Sequence, residues 1–282
     1  MMEIPILFIK TILLRPYVFV FLIAFLVAGT ISMGRIRTLV FLLVTWMIAF
    51  ASEYCSTRTG FPYGFYHYTE LTRGQELFIS NVPFMDSLSY TFLLFASYST
   101  ALFSLAPLRI QGWNIQMADT FTLRKSCKVL FLTAVYMMMI DVVIDPIALR
   151  GERWFLGKIY YYDHQGYYFG VPLSNAMGWG LVGLVATFLF QKLETKFLGT
   201  TYCDKGIRLW PARGLLGVGL YFGVLMFNLG ITAWIKEWGL LMAGCFVYLI
   251  PIVLLGLRLF DPKVRATDEE WQKHIRDFRI SG

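Results

Sequence analysis

Long apolar runs separated by short polar stretches dominate the chain. They fall at 17–34, 38–57, 83–106, 129–149, 172–191, 214–235 and 238–257. A helix that crosses a bilayer needs about 20 mostly apolar residues, so the pattern predicts seven spans. The first lies cleanly between Arg15 and Arg35, the sixth between Arg213 and Lys236. Residues 4–14 are too short to cross and are interrupted by Lys10, which predicts an interfacial lead-in. The first span lacks a small-residue cleavage site and is expected to be a span rather than a signal peptide. After Asp261-Pro262 the pattern turns polar, with Asp268, Glu269, Glu270, Lys273, Arg276 and Arg279. The expectation is an all-α, polytopic transmembrane bundle, a single domain over 1–260. A polar cytosolic tail at 261–282, an amphipathic helix with no catalytic role, follows it.

Composition sharpens this picture. The 282 residues are 57% hydrophobic and 15% charged, against about 45–50% and 25% in soluble domains; the mean hydropathy is +0.59. The net charge of +7 raises the question of nucleic acid, but its distribution argues against that. With seven spans, 17 of the 25 Lys and Arg fall in the first, third and fifth loops and the tail. The positive-inside rule then puts the C-terminus in the cytoplasm and the N-terminus outside. Cys55, Cys127, Cys203 and Cys245 are scattered without a CxxC, which disfavours a structural disulfide or a zinc site.

The exceptions to the apolar pattern carry the chemistry. Glu53, Asp86, Asp141 and Asp145 lie inside or at the rims of spans, and the topology brings all four to one face. A charged side chain in mid-membrane costs about 2.5–3.5 kcal/mol on insertion scales, so such residues mark functional sites. Asp141 and Asp145 are four apart and share a helix face, just before Pro146, which ends or kinks the helix. Two carboxyls held close resist double ionisation, and the one that keeps its proton is a general acid. For Asp86 a helix-capping role stands beside the functional one, and for Glu53 a pairing with Arg58. Asn175, after Pro172, is placed to orient a water or a carboxyl, or to cap its helix.

Two aromatic loops, 58–82 and 150–171, flank these acids. The first holds Gly60-Phe61-Pro62-Tyr63-Gly64-Phe65-Tyr66-His67-Tyr68; the second holds Trp154, Tyr160, Tyr161, Tyr162, Tyr167, Tyr168 and Phe169 around Asp163-His164-Gln165-Gly166. The second reads as a short hairpin closed by that polar turn. An interfacial aromatic belt explains single tyrosines; the Gly and Pro punctuation adds the shaped backbone of a cavity wall or lid. His67, His164 and His274 are too dispersed for the histidine boxes of membrane di-iron oxygenases. Gly178, Gly180 and Gly183 spell GxGxxG inside an apolar helix without a preceding strand, which predicts a small-residue packing face rather than a nucleotide site. No second acidic cluster accompanies Asp141 and Asp145, as the magnesium sites of membrane prenyltransferases require.

Over residues 50–180 the motifs resemble the membrane carotenoid 1,2-hydratases, a family that includes the archaeal bisanhydrobacterioruberin hydratases. The matching residues are Glu53, Gly60, Pro62-Tyr63-Gly64, Tyr66, Tyr68-Thr69, Val82-Pro83, Asp141, Asp145-Pro146, Gly151, Trp154, the block Tyr167-Tyr168-Phe169-Gly170-Val171-Pro172-Leu173-Ser174-Asn175, and Gly178-Trp179. At Phe84-Met85-Asp86-Ser87 the chain departs from the family by placing an acid among apolar positions. The resemblance implies addition of water to the terminal double bond of an acyclic carotenoid end group in a prokaryotic cytoplasmic membrane. It implies no metal and no other cofactor. Its partners would be a hydrophobic carotenoid, the bilayer and other enzymes of the carotenoid pathway.

On this reading Asp141 or Asp145 protonates the alkene, and Glu53 with Asn175 holds and activates the water. Asp86 tunes the donor. Tyr63, Tyr66, Tyr68, Trp154, Tyr168 and Trp179 form the end-group pocket, where aromatic faces stabilise a tertiary cation. Three other readings stand beside it. A terpenoid cyclase or isomerase would use the same protonation and end in proton loss. A proton-coupled transporter or a pigment-binding protein would use the acids without bond chemistry.

Overall fold

The structure is a computed structural model that describes residues 3–151, 153, 157–198 and 210–278. Seven helices among these are long and apolar enough to cross a membrane. They are α2 (Pro16–Met33), α3 (Arg35–Thr59), α4 (Phe84–Leu105), α6 (Cys127–Ala148), α7 (Leu173–Leu193), α8 (Leu216–Trp234) and α9 (Trp238–Phe260). Three shorter helices accompany them: α1 (Glu3–Leu14), α5 (Phe121–Arg124) and α10 (Asp268–Phe278). The expected spans and the observed ones agree to within a few residues, and the bundle is all-α apart from short strand pairs.

Local chemistry sets the helix ends. Pro16 opens α2 at its first position, where its missing N–H costs nothing. Gly60 closes α3 in the left-handed conformation at φ 77°. Ser126 caps α6 by accepting from the Val129 amide at 3.3 Å.

Helix α4 is the axis of the bundle. Of its most apolar window, 83% is buried inside the protein, against 22–50% for the other six spans. Helices α2, α3, α6 and α8 surround it. Its Phe95 packs on Phe25 of α2 at a 4.9 Å centroid distance, and Phe41 of α3 packs on Phe190 of α7 at 4.9 Å. Because lipid is as apolar as the core, close packing rather than the hydrophobic effect holds such helices together. Gly178, Gly180 and Gly183 supply it on α7. A Cβ on Gly180 would come within 2.7 Å of Met138 Sδ, and one on Gly183 within 3.1 Å of Met137 Cγ, both on α6; one on Gly178 would meet the Pro62 carbonyl at 2.8 Å. The glycine pattern is a packing face.

Strand pairs cover the two ends of the bundle. At one end β1 (Tyr66–Tyr68) pairs antiparallel with β6 (Tyr160–Tyr162), with Tyr66 opposite Tyr162 and Tyr68 opposite Tyr160. A second pair joins β2 (Phe78–Ile79) and β3 (Val82–Pro83). The second aromatic loop therefore does not close on itself as the expected hairpin: its tyrosine strand pairs with the first loop, because both runs alternate with the same period and put tyrosines on one face. Among the loop's described residues, internal pairing is limited to the single bridges Gly166–Gly170 and Tyr168–Val171.

The opposite end holds the hairpin of β4 (Leu108–Gln111) and β5 (Asn114–Met117), turned at Gly112 with φ 59°. Helix α10 docks there by burying Trp271 and His274, and Asp277 accepts the Phe121 amide at 2.9 Å.

Candidate active site

One cavity of about 160 Å³ opens among α2, α3, α4, α6, α7, α8 and the β1–β6 pair. Each helix contributes from its end nearest the aromatic loops. Glu53 is two turns before the end of α3, Asp86 in the first turn of α4, Asp145 in the last turn of α6, and Asn175 in the first turn of α7. All four line the cavity, with Tyr63, Tyr66, Tyr68 and Trp179.

Asp141 does not line the cavity, although it is buried one turn behind Asp145. A single amide joins the two carboxyls. Asn175 Nδ2 donates to Asp141 at 3.1 and 3.0 Å and to Asp145 Oδ2 at 2.6 Å. The i, i+4 spacing across one turn of α6 makes this convergence possible. Of the two orienting roles expected for Asn175, towards a water or a carboxyl, these contacts show the second.

Glu53 is buried and accepts the Ser87 hydroxyl from α4 in a short hydrogen bond. It does not pair with Arg58, which lies over the Tyr54 ring and donates to the Tyr54 carbonyl at 2.9 Å. Among the described residues no cation stands within ion-pair distance of Glu53, Asp141 or Asp145. Glu53 meets a hydroxyl, and both aspartates meet the Asn175 amide.

Asp86 differs. It forms an ion pair with Arg15, whose other nitrogen binds Glu76 at 2.7 Å; Arg15 and Glu76 are both buried. Burial opposes the charge on Arg15, but Asp86, Tyr17 and Glu76 outweigh it and hold the guanidinium protonated. Asp86 does not cap α4, whose start carries no side-chain cap. It is half of a salt bridge at the cavity wall.

Aromatic rings close the remaining sides. Tyr66 contacts Tyr68, Tyr160 and Tyr162 at centroid distances of 5.4, 5.8 and 5.9 Å. Their alternation along β1 and β6 turns these rings inward, while His67 and Tyr161 face outward and touch each other at 5.5 Å. Burial, then the nearby Glu53 or Asp145 carboxyl, pushes these phenols well above their usual range. They stay neutral and offer π faces and hydroxyl donors. Across the cavity Tyr90 stacks on Trp179 at 4.7 Å and donates to its carbonyl at 2.9 Å. Tyr168 is half-buried and lies outside the cavity lining. Trp154 lies outside the described residues.

A model described as "carotenoid biosynthesis protein" matches residues 14–251. The chain belongs to the carotenoid biosynthesis protein family. A bisanhydrobacterioruberin hydratase from Haloarcula japonica is 30% identical over 169 residues, which cover 59% of this chain and 49% of that protein. The match thus spans about half the length of that relative. No solved structure matches the chain.

As a member of this family the chain is an integral membrane protein with a role in carotenoid biosynthesis. Sequence alone does not single out the cavity-lining Arg15, Tyr90, Tyr160 and Tyr162, nor Glu76 and Ser87, which bind lining residues from behind. For Tyr160 and Tyr162 the alternation with Tyr161 was a readable signal. For Arg15 and Glu76 there was none, since they meet across 61 positions of sequence.

Proposed function

We propose that this protein hydrates the terminal double bond of an acyclic carotenoid end group without a cofactor. One observation supports the reading: among the described residues three carboxyls without an ion-pair partner lie at or directly behind an aromatic-walled cavity at one end of the spans. Such groups cost stability, and a protonated carboxyl in an apolar site is a strong general acid. Membership in the carotenoid biosynthesis family and the likeness to a hydratase point the same way.

Asp145, which faces the cavity, donates its proton to the less substituted alkene carbon. The π bond breaks, a C–H bond forms, and a tertiary cation is left between the Tyr66, Tyr160 and Trp179 faces. Water on Glu53 and Ser87 adds its oxygen to the cation and gives its proton to Glu53. That proton returns to the aspartate pair, so the cycle consumes only water. Asp141 and Asn175 position Asp145 and share its proton, and Arg15 neutralises Asp86 so that its charge does not compete for the cation.

The basic ends of the helices, with α10, face the cytoplasm, in keeping with the positive-inside rule; the cavity then opens near the outer leaflet. Residues 1–260 act as one membrane domain.

Expression in a host that accumulates a carotenoid with acyclic ends, followed by mass spectrometry of the pigments, tests the proposal. A gain of one water per modified end supports it. An equal-mass product would replace it with cyclisation or isomerisation, and unchanged pigment would refute both.

A further inference from the structure

The cavity is too small for a whole carotenoid. Its volume of about 160 Å³ is roughly half the lower limit of about 300 Å³ typical of pockets that enclose a drug-sized ligand. It holds an end group. The rest of a long polyene must leave through a wall, and burial together with ring packing points to the one that yields.

Buried groups close two sides of the cavity. On the aromatic-loop side the cavity ends at the buried rings of Tyr66, Tyr160 and Tyr162, and towards the axis it ends at α4, itself enclosed by other helices. The seam between α2 and α8 differs from the other half-buried lining residues, Tyr68, Asp86, Ser89, Ile144, Ala148 and Trp179, in setting three aromatic rings against one another across two helices. Tyr17 and Phe21 of α2 and Phe227 of α8 line the cavity and are at the same time only half-buried. The same rings therefore face the cavity on one side and the outside of the bundle on the other. They touch each other: Tyr17 stacks on Phe227 at 5.3 Å with an interplanar angle of 19°, and Phe21 meets Phe227 edge-on at 5.6 Å. Next to Phe227 along α8, Met226 is 64% exposed, which places this face of α8 against lipid. The partition between site and bilayer is one ring thick.

We propose that Tyr17, Phe21 and Phe227 form the gate through which the polyene lies. The end group sits at Glu53 and Asp145, and the conjugated chain passes between α2 and α8 into the membrane. A flat polyene suits this seam because it can replace one stacked ring against another. The gate also explains how a substrate far longer than the cavity is accepted directly from the bilayer. Phe227 is then a specificity-determining residue: its bulk sets what thickness of chain is tolerated beyond the reacting end. This inference rests on the hydratase proposal for the identity of the substrate, while the seam itself follows from the geometry.

The test compares two substrates with the same acyclic end, a full-length carotenoid and a truncated isoprenoid short enough to fit inside the cavity. Reconstituted wild type, Phe227→Trp, Phe21→Trp and Phe227→Leu are assayed for turnover on each and for pigment retained through purification, read by visible absorbance. The two Trp variants narrow the seam and should lower the long-to-short turnover ratio at least ten-fold and the retained pigment in parallel. Phe227→Leu, which adds no bulk, should leave the ratio equal or higher. The gate is wrong if the ratio and the retained pigment stay within two-fold of wild type in every membrane-inserted variant. If wild type hydrates neither substrate, the reaction proposal fails, and pigment retention still decides the gate.

Discussion

The two ends of this bundle bury the same kinds of side chain and treat them in opposite ways. At the basic end Asp119 and Glu194 sit among Arg37, Arg124, Arg213 and His274, all of them buried. Arg124 binds Asp119 through Nε at 2.8 Å and lies 3.6 Å from Glu194, and Arg37 reaches Glu194 at 3.1 Å. Burial alone would push the Asp119 carboxyl up, yet Arg124, then His274 and Arg213, hold it below the usual carboxylate range. At the other end Glu53 meets the Ser87 hydroxyl, Asp141 and Asp145 meet the Asn175 amide, and among the described residues no cation pairs with any of the three. Paired charge fastens loops to the bundle, and unpaired carboxyl in an apolar chamber is free to move protons. Arg15 with Asp86 and Glu76 carries the first style into the wall of the second.

The comparison can be broken most directly by removing carboxyls from the site. Glu53→Gln and Asp141→Asn should each lower hydration by about 10²–10⁴-fold, the usual contribution of a general acid or base, while membrane insertion is unchanged. Turnover within ten-fold of wild type for both would assign these acids to structure. At the basic end the effect should fall on stability instead. Arg124→Met strands Asp119 and Glu194 and should cost about 3–5 kcal/mol, the typical penalty for breaking a buried pair, read from the unfolding midpoint in detergent. Arg15→Met should destabilise comparably by stranding Asp86 and Glu76, and Arg15→Met/Glu76→Gln should recover part of the loss.

How much of this was visible in the sequence follows from the range of the signals. Seven apolar runs predicted seven spans because length and hydropathy are local properties. The gathering of Glu53, Asp86, Asp145 and Asn175 was legible because each stands near the end of a span, so topology alone brings them to one face. Their partners were not legible. The role of Asn175 depended on which carboxyl its amide met, and the pairing of Asp86 on Arg15, which reads as a mere boundary charge before the first span. Tyr160–Tyr162 suggested a strand, but not that its partner was the other loop. The basic-end network was hidden for a further reason: each of its charges, read singly, is an ordinary solvated loop residue. The docking of α10, which sets His274 against Asp119 and Arg213, brings together charges from distant parts of the chain.

The smallest expected effect concerns that docking. His274 faces Asp119 at 3.2 Å and Arg213 at 3.1 Å, and burial foremost pushes its pKa below the ordinary 6.5. The folded form therefore holds the neutral ring, and the released form takes up a proton first on acidification. Docking is fully present above about pH 6.5 and weakens as the pH falls below it. A spin label on Gln272→Cys, in a background without the native cysteines, should become more mobile between pH 7.5 and 5.5. His274→Gln should flatten that dependence. An equal mobility change in both proteins would assign the effect elsewhere.

The central claim is that the unpaired carboxyls at the cavity serve the reaction and not the fold. Asp145→Asn, assayed for carotenoid hydration and for thermal unfolding in the same purified sample, tests it most directly. The account predicts hydration reduced by at least a hundred-fold with an unfolding midpoint equal to or above that of wild type. Near-normal hydration, or a midpoint that falls as far as that of Arg124→Met, would contradict it.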